Sequence, residues 1–229
     1  MNIGEMHVMF RELAQQMGMQ TTRAILPEDI DICLNIAIKD TVKELIIGNI
    51  GYINPNDKVS RHNNAISSIN GLRTLMNKQN VDMDTINGIG TPVNPFSFDI
   101  SNDNVMLYLG FKIIYDNKYL YDCRIIEQEN IGSTVQDFSN RPSKDAPICT
   151  IIGDDSKITV SIINGIKNGT KPSSIQYLYI ANPIEVYFEE HDSTNNVNSD
   201  MPEYLHKDIV EKAINIYLQS IGAVRNTNK

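Results

Sequence analysis

The chain has no tryptophan, and aromatic residues make up only 7% of its 229 positions. Cysteine is scarce too. Cys33, Cys123 and Cys149 are far apart and odd in number, which argues against a disulfide framework. Each lies in an apolar run, which predicts buried free thiols and synthesis in a reducing host cytoplasm. No apolar run approaches ~18 residues, so no transmembrane helix is expected. Positive charge is also in short supply: 20 Lys and Arg stand against 28 Asp and Glu, a net charge of -8. Such a surface repels phosphate, so wrapping of nucleic acid is not expected. The opening residues, MNIGEMHVMF, carry an acidic residue where an export signal has basic ones, so no such signal is expected.

What is present is an ordinary globular composition, 41% hydrophobic and 21% charged. A chain of this length forms one large domain or two small ones and buries roughly 70% of its unfolded surface. Met6, Phe10, Leu13 and Met17 recur at helical spacing, with Gly18 as a stop. A second helix starts at Pro27, with Glu28 and Asp29 at the positive end of its dipole. Its stripe is Ile30, Leu34, Ala37, Ile38, Thr41 and Leu45, and Gly48 is its expected end. A weaker helical pattern, Ile66, Ile69, Leu72 and Met76, spans 63–76. Lys78 to Pro95 is rich in turn residues and reads as a long ordered loop or connector.

From Phe96 to Phe188 the apolar runs become short, β-branched and aromatic. Val105–Tyr115 and Tyr119–Glu127 read as a hairpin turning at Asp116-Asn117. Ile131, Val135 and Phe138 suggest a short helix. Ile148–Ile152 and Lys157–Ile163 form a second hairpin, and Ser173–Ile180 is the last main strand. After a polar connector, Met201-Pro202 opens a final helix with Leu205, Ile209, Ala213, Ile216 and Tyr217 on its apolar face and Gly222 as its cap. The expected class is α+β: an N-terminal helical hairpin, a central and largely antiparallel β-region, and a C-terminal amphipathic helix. The expected divisions are 1–95, mainly helical with a long loop, 96–190, the β-region, and 191–229, connector, helix and tail, within one compact domain.

Catalytic patterns are missing. Asp82, Asp84, Asn87 and Gly88 resemble a calcium loop. However, Ile86, Asn87 and Val93 stand where an EF-hand needs a ligand, a glycine and a closing glutamate, so turn chemistry is the reading. Gly88 and Gly90 lack the third glycine of a dinucleotide turn, and Gly165–Lys171 lacks P-loop spacing. Glu189, Glu190, His191 and Asp192 are consecutive, and neighbours on an extended strand point to opposite faces, so they read as a solvated strand end. His7 and His206 read as helix-surface residues. No nucleophile elbow occurs, and no enzyme activity, metal or cofactor is expected.

The C-terminal half carries a longer pattern. The strand YLYIANPIEV is followed, after the polar connector, by MPEYLHKDIVEKAINIYLQ. This resembles a family of virion structural proteins of tailed phages, especially crAss-like and related podoviruses. In that family a Y-I-x-x-P strand end precedes an L/M-P-E-x-x-H-x-x-I-V-x-x-A helix. The matching residues are Tyr179, Ile180, Pro183, Met201, Pro202, Glu203, His206, Ile209, Val210 and Ala213. The N-terminal half agrees in pattern only. The resemblance implies a neck protein, a head-to-tail connector or portal-adaptor subunit located in the virion. It would form a homo-oligomeric ring, a dodecamer matching the portal, with the portal protein and other neck or tail ring proteins as partners. DNA would pass through without specific binding, and no membrane is involved.

Elementary physics accommodates this. A heterologous interface repeated by rotation closes into a ring. An acidic channel does not retard sliding phosphates. The loops at 80–95 and 190–200 are expected to order on assembly. The alternatives are another virion ring or tail protein, or a soluble interaction module with no catalytic activity and the β-region as its recognition surface. In every case the last helix must pack its apolar face. Ile209→Asp is therefore expected to cost several kcal/mol. Thermal unfolding followed by circular dichroism measures this, and wild-type melting of the variant would show that the helix is not packed.

Overall fold

A computed structural model of the chain describes residues 1–17, 25–50, 70–101, 104–116, 118–153, 157–165, 171–190 and 193–221. It is a mixed α+β structure of two compact units. One is helical and combines Met1–Leu75 with Asn182–Lys229; the other is a sheet built from Met76–Ala181.

In the helical unit, α1 (Ile3–Gln16) starts at a capping box. The Asn2 side chain accepts from the Glu5 backbone at 2.8 Å, and the Glu5 carboxylate accepts from the Asn2 backbone at 2.9 Å. Its buried residues are Ile3, Met6, His7, Phe10 and Ala14. Leu13 is only half-buried, and Met17 is exposed because the helix ends before it and Met17 serves as the C-cap. The Gly18 stop lies outside the described residues. Helix α2 (Pro27–Ile50) starts at Pro27 and buries Ile30, Cys33, Leu34, Ala37, Ile38 and Val42. It runs two residues past its expected end, since an interior glycine costs a helix only ~1 kcal/mol. In the weaker 63–76 pattern, 63–69 lie outside the described residues; Asn70–Leu72 are helical, and Met76 already belongs to a strand.

The sheet unit has seven strands: β1 (Met76–Asn80), β2 (Phe96–Ser101), β3 (Val105–Tyr115), β4 (Tyr119–Ile125), β5 (Ile148–Gly153), β6 (Lys157–Ile163) and β7 (Ser174–Ala181). Their order is β1-β7-β3-β4-β5-β6-β2, and the sheet is curled. The β3–β4 and β5–β6 hairpins stand where the sequence predicts them. All pairings are antiparallel except β4–β5, which is parallel and spans two residue pairs, Arg124↔Ile148 and Ile125↔Cys149. The chain makes that crossover through a 3-10 turn and the short helix α3 (Ile131–Gln136). The core is Phe96, Phe98, Phe111, Ile113, Tyr115, Cys149, Val160, Ile162, Ile175 and their neighbours. Strand β1 corrects the expected loop from 78 to 95. Its sequence, MNKQN, has no apolar alternation and four exposed residues, so its identity comes from pairing with β7.

All three cysteines are buried and free. Burial raises the Cys33 thiol, with the Asp29 charge adding to it. Cys123 is raised by its contact with the Cys149 sulfur and by burial. Neither Cys33 nor Cys123 is held as a reactive thiolate by these surroundings.

Residues 82–95 form the turn structure expected of them. The Asp82 carboxylate accepts from the Asp84 backbone at 3.0 Å, and Gly88 and Gly90 adopt φ of 91° and 78°. A Cβ on Gly88 would collide with the Pro95 carbonyl. Gly88→Ala is therefore expected to destabilise the sheet unit by about 2 kcal/mol or more. Gly132→Ala, where a Cβ meets nothing within 4 Å, leaves stability unchanged or slightly higher. Urea unfolding of the two variants makes the comparison, and equal midpoints would contradict it.

Candidate functional site

Residues 182–205 connect the last strand to α4 (His206–Ser220), and within the helical unit the segment 185–188 is attached to α2. The attachment is polar. Asn35 uses both ends of its amide on the backbone of Val186, donating at 3.0 Å and accepting at 2.8 Å. One turn earlier, Asp31 accepts the Phe188 backbone N–H at 3.0 Å with one oxygen and the His7 ring at 2.8 Å with the other. Because the carboxylate only accepts, His7 Nε2 carries the proton in this contact. The Phe188 ring lies 4.5 Å from the His7 ring. Lys39 meets Glu185 at 2.8 Å on the exposed margin, where an ion pair contributes little. Val186 fills an apolar gap between these anchors.

Farther along, Tyr187 and Val197 form a β-bridge, Asn196 accepts from the Glu189 backbone at 2.7 Å, and Asn198 accepts from the Ile3 backbone at 2.8 Å. In the described part of 190–200 and in 81–95, polar side chains accept from backbone groups of this chain: Asn196 from Glu189, Ser199 from Met201, Asp82 from Asp84 and Thr91 from Asn94. His191 and Asp192 lie outside the described residues. Glu189 is held by Asn195 at 3.1 Å rather than by a metal-like cluster. Among the described residues no three His, Cys, Asp or Glu side chains are grouped to hold an ion.

The motif residues divide between the units. Tyr179 and Ile180 end β7 in the sheet unit, whereas Pro183, Met201 and the rest belong to the helical unit. Pro183, Met201 and Pro202 are buried, Glu203 is exposed, and Ile209, Val210 and Ala213 are fully buried. Glu203 forms an ion pair of 2.7 Å with the Met1 ammonium, which lowers its pKa. His206 is 4% exposed, and its Nε2 donates to the Met201 carbonyl at 2.9 Å. His7 is 0% exposed. Both histidines were expected on the surface. Each is instead a core residue whose ring fixes a backbone or carboxylate group, and each leaves a buried Nδ1 without a partner. The buried face of α4 is His206, Ile209, Val210, Ala213 and Ile214, rotated slightly from the expected stripe; Tyr217 meets Phe10 edge-on at 5.8 Å. The helix cap is Ile221; Gly222 lies outside the described residues.

On the side of α2 opposite its core stripe, Ile32, Ile36 and Ile47 are 58%, 42% and 63% exposed, with Lys39, Asp40 and Lys43 between the last two. Among the described residues no helix is long and apolar enough to cross a membrane.

The sheet unit contains a cleft of about 400 Å³ in the gap between edge strands β1 and β2. Gln79, Asp82, Asp99 and Asn104 ring it, and Tyr177 and Tyr179 form its aromatic wall. These two rings are 5.6 Å apart and tilted by 30°. Tyr177 donates to the Gln79 amide oxygen at 2.8 Å. Behind them, burial and the neighbouring Tyr177 and Tyr179 push Tyr108 up to about 12, so its phenol stays neutral. Asp99 is held low by hydrogen bonds from Lys157 and Thr159 and stays ionised. Sequence reading missed this cleft because its walls meet only through strand order. The one local signal was the Tyr177-x-Tyr179 alternation on a single strand face.

No protein-family model matches the chain, and no curated protein matches it.

Asp200 is the polar residue in the connector whose burial is least compensated. One oxygen accepts the Ile184 backbone N–H at 3.2 Å, while the other is buried without a partner. Burial raises its pKa, opposed by the backbone hydrogen bonds. At neutral pH the folded state therefore carries an ion it disfavours. As pH falls through the raised value the folded protein takes up the proton first. This group's contribution to stability grows until the ordinary carboxylate range is passed. Asp200→Asn cannot titrate. The melting temperature of the variant minus that of the wild type is therefore expected to fall as the pH is lowered from neutrality toward 4, near the group's ordinary value of 3.8. A pH-independent difference, read by scanning calorimetry, would remove Asp200 from this role.

Proposed function

We propose that the chain is a non-enzymatic structural subunit of a tailed-phage virion. In this reading it forms a ring in the neck that joins the portal to the tail and lets DNA pass. The observation that carries the reading is the pair Ile32 and Ile36, exposed one turn apart on the side of α2 away from its core stripe. Adjacent exposed apolar side chains suit an interaction surface. The core stripe is covered within the chain, and Ile32 and Ile36 are left for a neighbour. A neighbouring copy that covers this pair with a different surface of its own generates a ring by rotation.

Two further features agree. The residues that carry the resemblance, Pro202, Glu203, His206, Ile209, Val210 and Ala213, build the start and buried face of α4, so the motif reads as a packing signature rather than a reaction centre. The net charge of -8 suits a surface over which DNA slides. The partners in this reading are further copies of the chain, the portal protein and other neck or tail ring proteins. A second reading, a protein-interaction module with the sheet unit as its recognition surface, is favoured by the cleft between β1 and β2.

Native mass spectrometry and negative-stain imaging of the full chain, alone and mixed with its portal, test the first reading. Rings, a dodecamer on the portal, are expected. The double variant Ile32→Glu, Ile36→Glu is expected to keep its far-ultraviolet spectrum and melting temperature while losing assembly. A chain that stays monomeric in the presence of the portal would overturn the ring reading, as would undiminished ring formation by the variant for the role given to α2.

A further inference from the structure

We infer that the cleft between β1 and β2 is a binding site for a neutral, hydroxyl-rich ligand, a saccharide of one or two rings. The inference goes beyond the ring reading and does not depend on it, because every residue used belongs to the sheet unit.

The lining of the cleft is mostly polar with one aromatic side. Gln79, Asn80 and Asn104 offer amides, Thr85 offers a hydroxyl, and Asp82 and Asp99 offer carboxylates. Amides both donate and accept, and ionised carboxylates only accept, so together they suit a ligand rich in hydroxyl groups. Tyr179 is half-buried and supplies an aromatic face against which the C–H face of a sugar ring packs, backed by the buried Tyr177. The volume of about 400 Å³ falls in the range of small-ligand sites.

Other ligand classes fit less well. An anion finds no cationic side chain among the lining residues. Lys157 beside the cleft is committed to Asp99 at 2.8 Å, and Lys171 donates to the Met83 carbonyl at 3.1 Å. A transition metal, which takes His, Cys and carboxylate ligands, finds no group of three such side chains among the described residues. A wholly apolar ligand would strand two carboxylates and three amides without water.

The position of the cleft adds a structural reason. A seven-stranded sheet curled this far brings its two edges toward one another without joining them. Side chains from the inner face, Tyr177 and Ile100, and from the outer face, Asp99, therefore meet in one opening. On a closed barrel those two sets stay on opposite sides of the wall.

Saturation-transfer difference NMR on the full chain, with lactose, maltose and chitobiose each at millimolar concentration, tests the inference. Transfer to the ring C–H protons of at least one sugar is expected. It should fall several-fold in Tyr179→Ala and in Gln79→Ala, and remain in Ile36→Glu, which lies in the other unit. Gln79 is exposed on an edge strand, so its variant keeps the test readable if the tyrosine variant misfolds. Absence of transfer from all three sugars would overturn the inference, and so would transfer undiminished in every variant whose amide spectrum is native. Displacement of a bound sugar by an unrelated extended peptide with equal efficiency would reassign the cleft to strand addition.

Discussion

Two polar side chains one helical turn apart hold the helical unit together. Asp31 and Asn35 take the backbone of Phe188 and Val186 onto α2, and Asp31 also takes the ring of His7 from α1. An extended segment offers N–H and C=O groups with no ladder of its own, and burying them unpaired costs about 1–3 kcal/mol each. Asn35 answers one donor and one acceptor at once. Asp31 answers two donors from different parts of the chain, so the first helix, the second helix and the connector are mutually dependent. Val186 is buried beside these contacts, and at the entry into α4 the His206 ring closes on the Met201 carbonyl.

This arrangement explains why the connector looked featureless in sequence. STNNVNSD has no periodicity because its side chains answer backbone groups rather than a core. Asn196 and Asn198 cap backbone N–H groups distant from their own positions. Polar residues in a segment of this kind are read as solvated, and here they are structural. The same applies to His7 and His206. A histidine on an amphipathic helix carries no local mark of the carboxylate or carbonyl that pairs with it. His7 needs Asp31 from the next helix, and His206 needs the Met201 carbonyl just before its own helix.

The legible parts were those set by local pattern. The 3.6-residue stripes placed α1, α2 and α4, and the turns at Asp116 and Gly153 placed two hairpins. Strand β1 was illegible, since MNKQN becomes a strand only by pairing with Gln176–Ile180 of a strand about a hundred residues later. The parallel β4–β5 step was illegible for a related reason: nothing in the crossover from 126 to 147 states which strand it returns beside. The candidate sites follow the same division. The motif leading into α4 was visible as a string and its burial was implied by spacing, whereas the outward isoleucines of α2 went unread, because an apolar residue off the stripe carries no local mark of its exposure. The cleft depends on strand order, which no window of sequence contains.

Strands β1 and β7 are neighbours, with Met76 opposite Ile180. The chain enters the sheet unit at Met76 and leaves it at Ala181, so entry and exit stand side by side on adjacent strands. The sheet unit is thus an insertion looped out of a helical body whose two halves flank it in sequence. On the ribosome the sheet unit is complete before α4 has been made. The helical body closes only when α4 reaches the helices that were synthesised first. The inserted sheet, by holding its two ends together, shortens the loop that this closure must bridge from over a hundred residues to the width of two strands.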